Sequence, residues 1–147
     1  MPEPTPSNLY PSLSYDDAAA AIEWLCDVLG FRKRLIVPGP DGTVVHSELS
    51  LGPGVVMVGS PRDDDGRSSP KRLGGVTAAL SIQCDDPDAV FERVAKAGWE
   101  ILHDLQEEDH DARGFMTRDP GGQQWYVGTY RPGEYWDGAS VDGSRPV

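Results

Sequence analysis

The same short phrase occurs twice in this chain. Residues 15–31 read YDD, an apolar helical stretch, then LGF; residues 84–99 read CDD, a second such stretch, then AGW. The openings lie 69 residues apart and the exits 68. Paired aspartates supply N-cap candidates, and a glycine ahead of an aromatic residue is where a helix stops and a strand resumes. In the first copy Ile22, Leu25, Cys26 and Leu29 fall at i, i+3, i+4 and i+7, one helical face closed by Gly30. In the second, Asp86 precedes Pro87 at the first helical position, and Val90, Phe91, Val94 and Ala97 form the stripe closed by Gly98. Half of a 147-residue chain is too small to bury both faces of a sheet well. Duplication at this period therefore favours two units sharing a core over two independent domains.

Each copy offers one strand before its helix and three after it. In the first, Leu9 to Ser14 reads as a strand, 31–37 (FRKRLIV) as the next, GPDG at 39–42 as a turn, and Val44 to Leu51 as a third strand that LGPG turns into VVMVG. In the second, Val76 to Gln83 precedes the helix; WEILHDL at 99–105, FMTRD and QQWYVGTY follow, the last two joined by a DPGG turn. The reading is an α+β chain of two βαβββ modules, 8–60 and 75–130, with a C-terminal tail at 131–147. Between them, 61–74 (PRDDDGRSSPKRLG) has no periodic apolar residues and reads as a linker or mobile loop.

Four stretches, AIEWLCDVLGF (21–31), HSEL with LGPGVVMVG (46–59), DDPDAVFERVAKAGWE (85–100) and RGFMTRDPGGQQWYVGTY (113–130), resemble in order and spacing the vicinal oxygen chelate superfamily, which includes glyoxalases, bleomycin-resistance proteins and dioxygenases. The resemblance implies a curved four-stranded mixed sheet per module, helices on the convex side, a cavity on the concave side, and a homodimer.

Strand alternation names the residues that line such a cavity. On the first strand Pro11 and Leu13 face the helix, leaving Tyr10, Ser12 and Ser14 inward. On the strand opening the second module Leu80 and Ile82 face the helix, leaving Ala79, Ser81 and Gln83. Val45, Leu49 and Leu51 are the expected core set of the third strand, with His46, Glu48 and Ser50 inward. On the last strand Trp125 and Val127 are core, with Gln124, Tyr126 and Gly128 inward. The expected ligand-binding set is Tyr10, Ser12, His46, Glu48, Met57, Ser81, Gln124 and Tyr126. His46 and Glu48, two apart on one strand face, are its best candidates for acid–base chemistry or cation binding. A solvated polar pair is the plainer reading of both.

Metal-binding members of the resembled family place His, Gln or Glu at four inward strand positions. Counting from LGF, CDD and DPGG puts those positions on Tyr10, Ala79, Tyr126 and Met57 or Val58. Alanine and valine have no donor, and tyrosine and methionine are poor ligands for Zn²⁺, Mg²⁺ or Mn²⁺. No metal and no cofactor is expected. The first expectation is a metal-independent protein that binds a small organic molecule, cationic or aromatic. The alternative is a metal-dependent lyase, isomerase or dioxygenase using Glu48 with His46 or His110. A third reading is an assembly module whose cavity is filled by Tyr10, Met57 and Tyr126.

The remaining features discriminate less. His110 lies in EEDHD (107–111), which reads as a solvated charged loop or a lid, and His103 carries no motif. Trp24, Trp99 and Trp125 are expected in the core; Tyr130, Tyr135 and Trp136 are expected to anchor the tail on the body or on a second subunit. LGPG and DPGG are turns rather than phosphate loops. The net charge of −11 argues against nucleic acid and anionic membranes as partners and suits a cation. Two isolated cysteines, Cys26 and Cys84, and a polar, proline-rich start at Met1 to Asn8 lead to a cytoplasmic expectation.

Overall fold

Two sheets of four strands carry the structure, a computed structural model that describes residues 7–133. The Tyr135–Trp136 pair lies outside the described residues. The first module runs β1 (Ser12–Ser14), α1 (Ala18–Trp24), β2 (Arg32–Pro38), β3 (Val44–Leu51) and β4 (Gly54–Gly59). The second runs β5 (Leu80–Gln83), β6 (Ile101–Glu107), β7 (Arg113–Arg118) and β8 (Gln124–Gly128), with its helix Pro87–Lys96 between β5 and β6. Strand order is β1-β4-β3-β2 in one sheet and β5-β8-β7-β6 in the other, with the first pair parallel and the rest antiparallel in each. The duplicated phrase is thus a duplicated topology.

The local signals act as their chemistry requires. Asp17 caps α1 by accepting from the Ala20 amide at 3.0 Å, and Asp86 caps the second-module helix through Ala89 at 3.2 Å. The first helix continues as a π turn, Leu25–Leu29, and Gly30 ends it at φ 91, a left-handed conformation that favours glycine. The helix-covered faces of both sheets share one core, in which Tyr15, Leu25, Leu49, Val58, Val94, Phe115, Trp125 and Val127 are all but sealed from solvent. Phe31 meets Trp125 edge-to-face across the modules at 5.7 Å, and Arg93 Nε donates to the Val28 carbonyl at 2.9 Å.

Three expectations need correction. Val45 is exposed, and Val44 takes its place in the core, because the β2–β3 register slips between Val37 and Pro38 and reverses the alternation at the start of β3. Trp99 is 40% exposed; it packs its ring edge-to-face on Trp24 at 6.2 Å, at the rim of the core instead of inside it. Segment 61–74 carries regular structure. Arg62 and Arg67 exchange backbone hydrogen bonds around a turn at Asp63–Asp65, and a short helix, α2 (Pro70–Leu73), follows. The second-module helix is therefore α3 in chain order. Ser69 caps α2 and donates to Asp16 at 2.7 Å, which ties the segment to the head of α1.

Candidate functional site

On β4, Val56 and Val58 enter the core and Met57 points the other way; on β8, Trp125 and Val127 enter it and Tyr126 points away. Register then sets two rows on the faces turned from the core. Ser12, Met57 and Glu48 stand side by side across β1, β4 and β3. Ser81, Tyr126, Met116 and His103 stand side by side across β5, β8, β7 and β6. Ser12 and Ser81, and Met57 and Tyr126, occupy corresponding places in the two modules.

Ser12 and Met57 of the first row border a cavity of about 120 Å³ that also includes His46, Ser14, Arg62 and Arg67, with Glu48 outside its lining. His46 Nε2 lies 2.9 Å from Glu48 Oε2, so the predicted pair on one strand face is in hydrogen-bond contact. Both side chains remain about two-fifths exposed, at 38% and 42%. Arg67 reaches over the strand edge to donate from Nη1 to Ser12 Oγ at 3.1 Å, and its Nε pairs with Asp65 at 3.3 Å. The segment between the modules thus supplies the cationic wall of this cavity, a contribution that its lack of periodicity concealed.

Two members of the second row border a larger cavity, about 630 Å³, within the size range of small-molecule pockets. Ser81 and Tyr126 lie on its sheet wall; Gln106, Glu107, Glu108, Asp109, Ala112 and Tyr130 also line it. Tyr126 donates its hydroxyl to Glu108 Oε1 at 2.5 Å. Burial raises the Tyr126 phenol above its ordinary range, and the hydrogen bond and charge of Glu108 raise it further, which keeps it a proton donor. Gln106 was not singled out from the sequence; Glu108 was read only as part of a charged loop or lid, and Tyr130 as an anchor of the tail. The only signal was position: the EEDHD loop opens the hairpin that ends beside β8.

The candidate residues therefore fall into two groups. Ser12, His46, Met57 and Glu48 gather on one sheet, and Ser81 and Tyr126 on the other; neither cavity includes residues of the other's row. Tyr10 precedes β1, is exposed, and bonds locally to the Ser7 carbonyl; it lines neither cavity. Gln124 is also outside both. A third hollow of about 450 Å³ runs between β1 and the approach to β5, with Leu13, Pro70, Leu73 and Leu80 in its wall.

A profile described as Glyoxalase/Bleomycin resistance protein/Dioxygenase superfamily matches residues 9–127. The chain belongs to this superfamily. An uncharacterized protein of Mycobacterium bovis, Mb0911c, is 32% identical over 123 residues, 82% of this chain and 81% of that protein. The crystal structure of TioX from Micromonospora sp. ML1 is 32% identical with a TM-score of 0.69, covering 85% of this chain and 99% of TioX. TnmS3, described as an antibiotic binding protein from Streptomyces sp. CB03234, shares the fold at 18% identity and a TM-score of 0.62, covering 80% of this chain and 90% of TnmS3.

The metal site implied by the superfamily's enzymes can be tested on the donor set. The first row offers a hydroxyl, a thioether and one carboxylate; the second offers a hydroxyl, a phenol, a thioether and one imidazole. Among the described residues no group of three or more His, Cys, Asp or Glu side chains is placed to hold an ion. Two strong donors, His46 and Glu48, fall short of the three protein ligands that catalytic zinc sites use. These residues do not fit a divalent ion site of that kind.

Proposed function

We propose that this superfamily member is a metal-independent small-molecule-binding protein that holds an organic ligand against the second sheet. The observation that carries the reading is the cavity at Tyr126 and Glu108: it has the volume of a ligand pocket, an aromatic ring and a few convergent polar groups on a rigid sheet. That a protein of this fold is described as antibiotic binding, TnmS3, accords with such a use. Each cavity is walled by one sheet and faces away from the shared core. A homodimer in which a second copy covers these faces completes the proposal. Cys26 and Cys84 are free thiols, which accords with a reducing, cytoplasmic setting.

The test is calorimetric titration of the purified protein with a panel of small aromatic and cationic compounds, alongside metal analysis after dialysis. Saturable binding by dialysed protein supports the reading. Stoichiometric Zn, Ni, Mn or Fe that resists dialysis overturns it. That result would favour the metal-dependent lyase, isomerase or dioxygenase, whose best residues are the paired His46 and Glu48.

A further inference from the structure

The ring of Tyr126 lies over two glycines. A Cβ added to Gly128, two residues further along β8, would come within 2.3 Å of the Tyr126 phenol oxygen; one added to Gly114, paired with Gly128 on β7, would come within 2.5 Å. A side chain at either place would meet the ring and also a backbone carbonyl, that of Val127 at 2.8 Å from a Cβ at Gly114 or that of Arg113 at 2.7 Å from one at Gly128. With both bare, the phenol lies down along the strand and becomes a floor. Its hydroxyl end is held by Glu108, whose second carboxylate oxygen has no protein donor among the described residues. Tyr130 stands in the wall, 39% exposed.

The charge around this floor has one sign. Among the described residues the lining has three carboxylates, Glu107, Glu108 and Asp109, and no lysine, arginine or histidine. Arg113, outside the lining, pairs with Glu107 at 3.2 Å and with Asp88 at 2.8 Å, so it offsets Glu107 and leaves Glu108 and Asp109. The smaller cavity on the other sheet differs, with Arg62 and Arg67 in its lining, each paired with Asp65. A flat π-face beside a fixed carboxylate is the arrangement that favours a delocalised cation: the ring quadrupole attracts the charge, and the carboxylate neutralises it at close range.

We propose that the Tyr126–Glu108 cavity is a subsite for a planar aromatic cation, with the Tyr126 ring as its stacking floor and Glu108 as its counter-charge. The assignment rests on the binding function proposed above and names the ligand class of that site.

Three probes of matched shape test it by calorimetric titration at pH 8: 10-methylacridinium, permanently cationic; acridine, its uncharged counterpart; and anthracene-9-carboxylate, an anion. The cation binds about tenfold more tightly than acridine, and the anion most weakly, in line with the strength of cation–π and carboxylate attraction together. Glu108→Gln reduces that preference for the cation to about threefold or less. Glu108 is half-buried on a loop, and an unchanged melting temperature verifies that its variant is folded. If acridine and 10-methylacridinium bind equally, or if Glu108→Gln leaves the preference intact, the cation assignment falls while the binding function stands. If none of the three probes binds, the cation assignment falls; if the broader compound panel also fails, the binding function falls with it.

Discussion

The hydroxyl of Tyr15 donates to Asp119 Oδ2 at 2.5 Å, joining residues 104 positions apart in the two modules. The same oxygen accepts the indole N–H of Trp125 at 2.9 Å. Asp119 Oδ1 accepts the amides of Gly121 at 3.0 Å and Gln123 at 2.9 Å. One buried carboxylate therefore shapes the DPGG turn, orients the largest side chain of the core, and fastens the strand–helix junction of the first module to the second.

Removing that carboxylate strands two buried side-chain donors. Asp119→Ala is expected to cost roughly 3–5 kcal/mol, and Tyr15→Phe, which removes one charge-assisted bond, roughly 1–3 kcal/mol. Urea denaturation of the two single variants and the double variant measures the coupling. A coupling energy near zero would show that the two groups do not act as a unit.

Burial raises the Tyr15 phenol well above its ordinary range, and the nearby negative charge of Asp119 raises it further. A folded-state pKa above the unfolded one means that the stabilisation is whole below the unfolded value, about 10, and drains away as pH climbs through the folded value. The stability advantage of wild type over Tyr15→Phe is expected to be constant from pH 7 to 9 and to shrink above pH 10. Denaturation midpoints across that range decide it; an advantage that grows with alkalinity contradicts the assignment.

Gly121 touches the same junction. A Cβ there would sit 2.0 Å from Tyr15 Cδ1, against a ring that is fully enclosed. Gly121→Ala is expected to destabilise by roughly 1–3 kcal/mol through overpacking. Gly75→Ala is the control: nothing lies within 4 Å of its Cβ position, so its thermal midpoint should stay close to that of wild type.

His46 and Glu48 predict the reverse pattern. Their contact is short but two-fifths exposed, so His46→Ala and Glu48→Ala should each change stability by no more than about 1 kcal/mol. Chemical denaturation measures this directly, and a larger loss would make the pair a structural fastening. With stability preserved, any change in ligand affinity in His46→Ala reports on the cavity of the first sheet itself.

The helix faces, their caps and their glycine exits were legible in the sequence because each depends on neighbours within one or two turns. Ser12, Met57, Ser81 and Tyr126 were legible for the same reason, since alternation along a strand fixes the face without knowledge of the partner strand. Val45 was misjudged where alternation broke at the irregular pairing of Val37 and Pro38, which no local spacing announces. Trp99 was misjudged because hydrophobicity tells that a ring seeks cover and not how much the neighbours provide. Glu108 and Arg67 lie in charged loops without periodicity, so the first could be read only as part of a solvated loop or a lid, and nothing in its own segment connected the second to a cavity.

The sequence by itself determined the duplicated strand and helix order and which side chains turn from the core, since both follow from short-range periodicity and backbone geometry. Only the tertiary structure decided that these side chains divide between two cavities, that Glu108 meets Tyr126, and that Asp119 meets Tyr15. Those contacts join residues brought together by sheet register and module packing, and the reach of a side chain across space leaves no period in the chain.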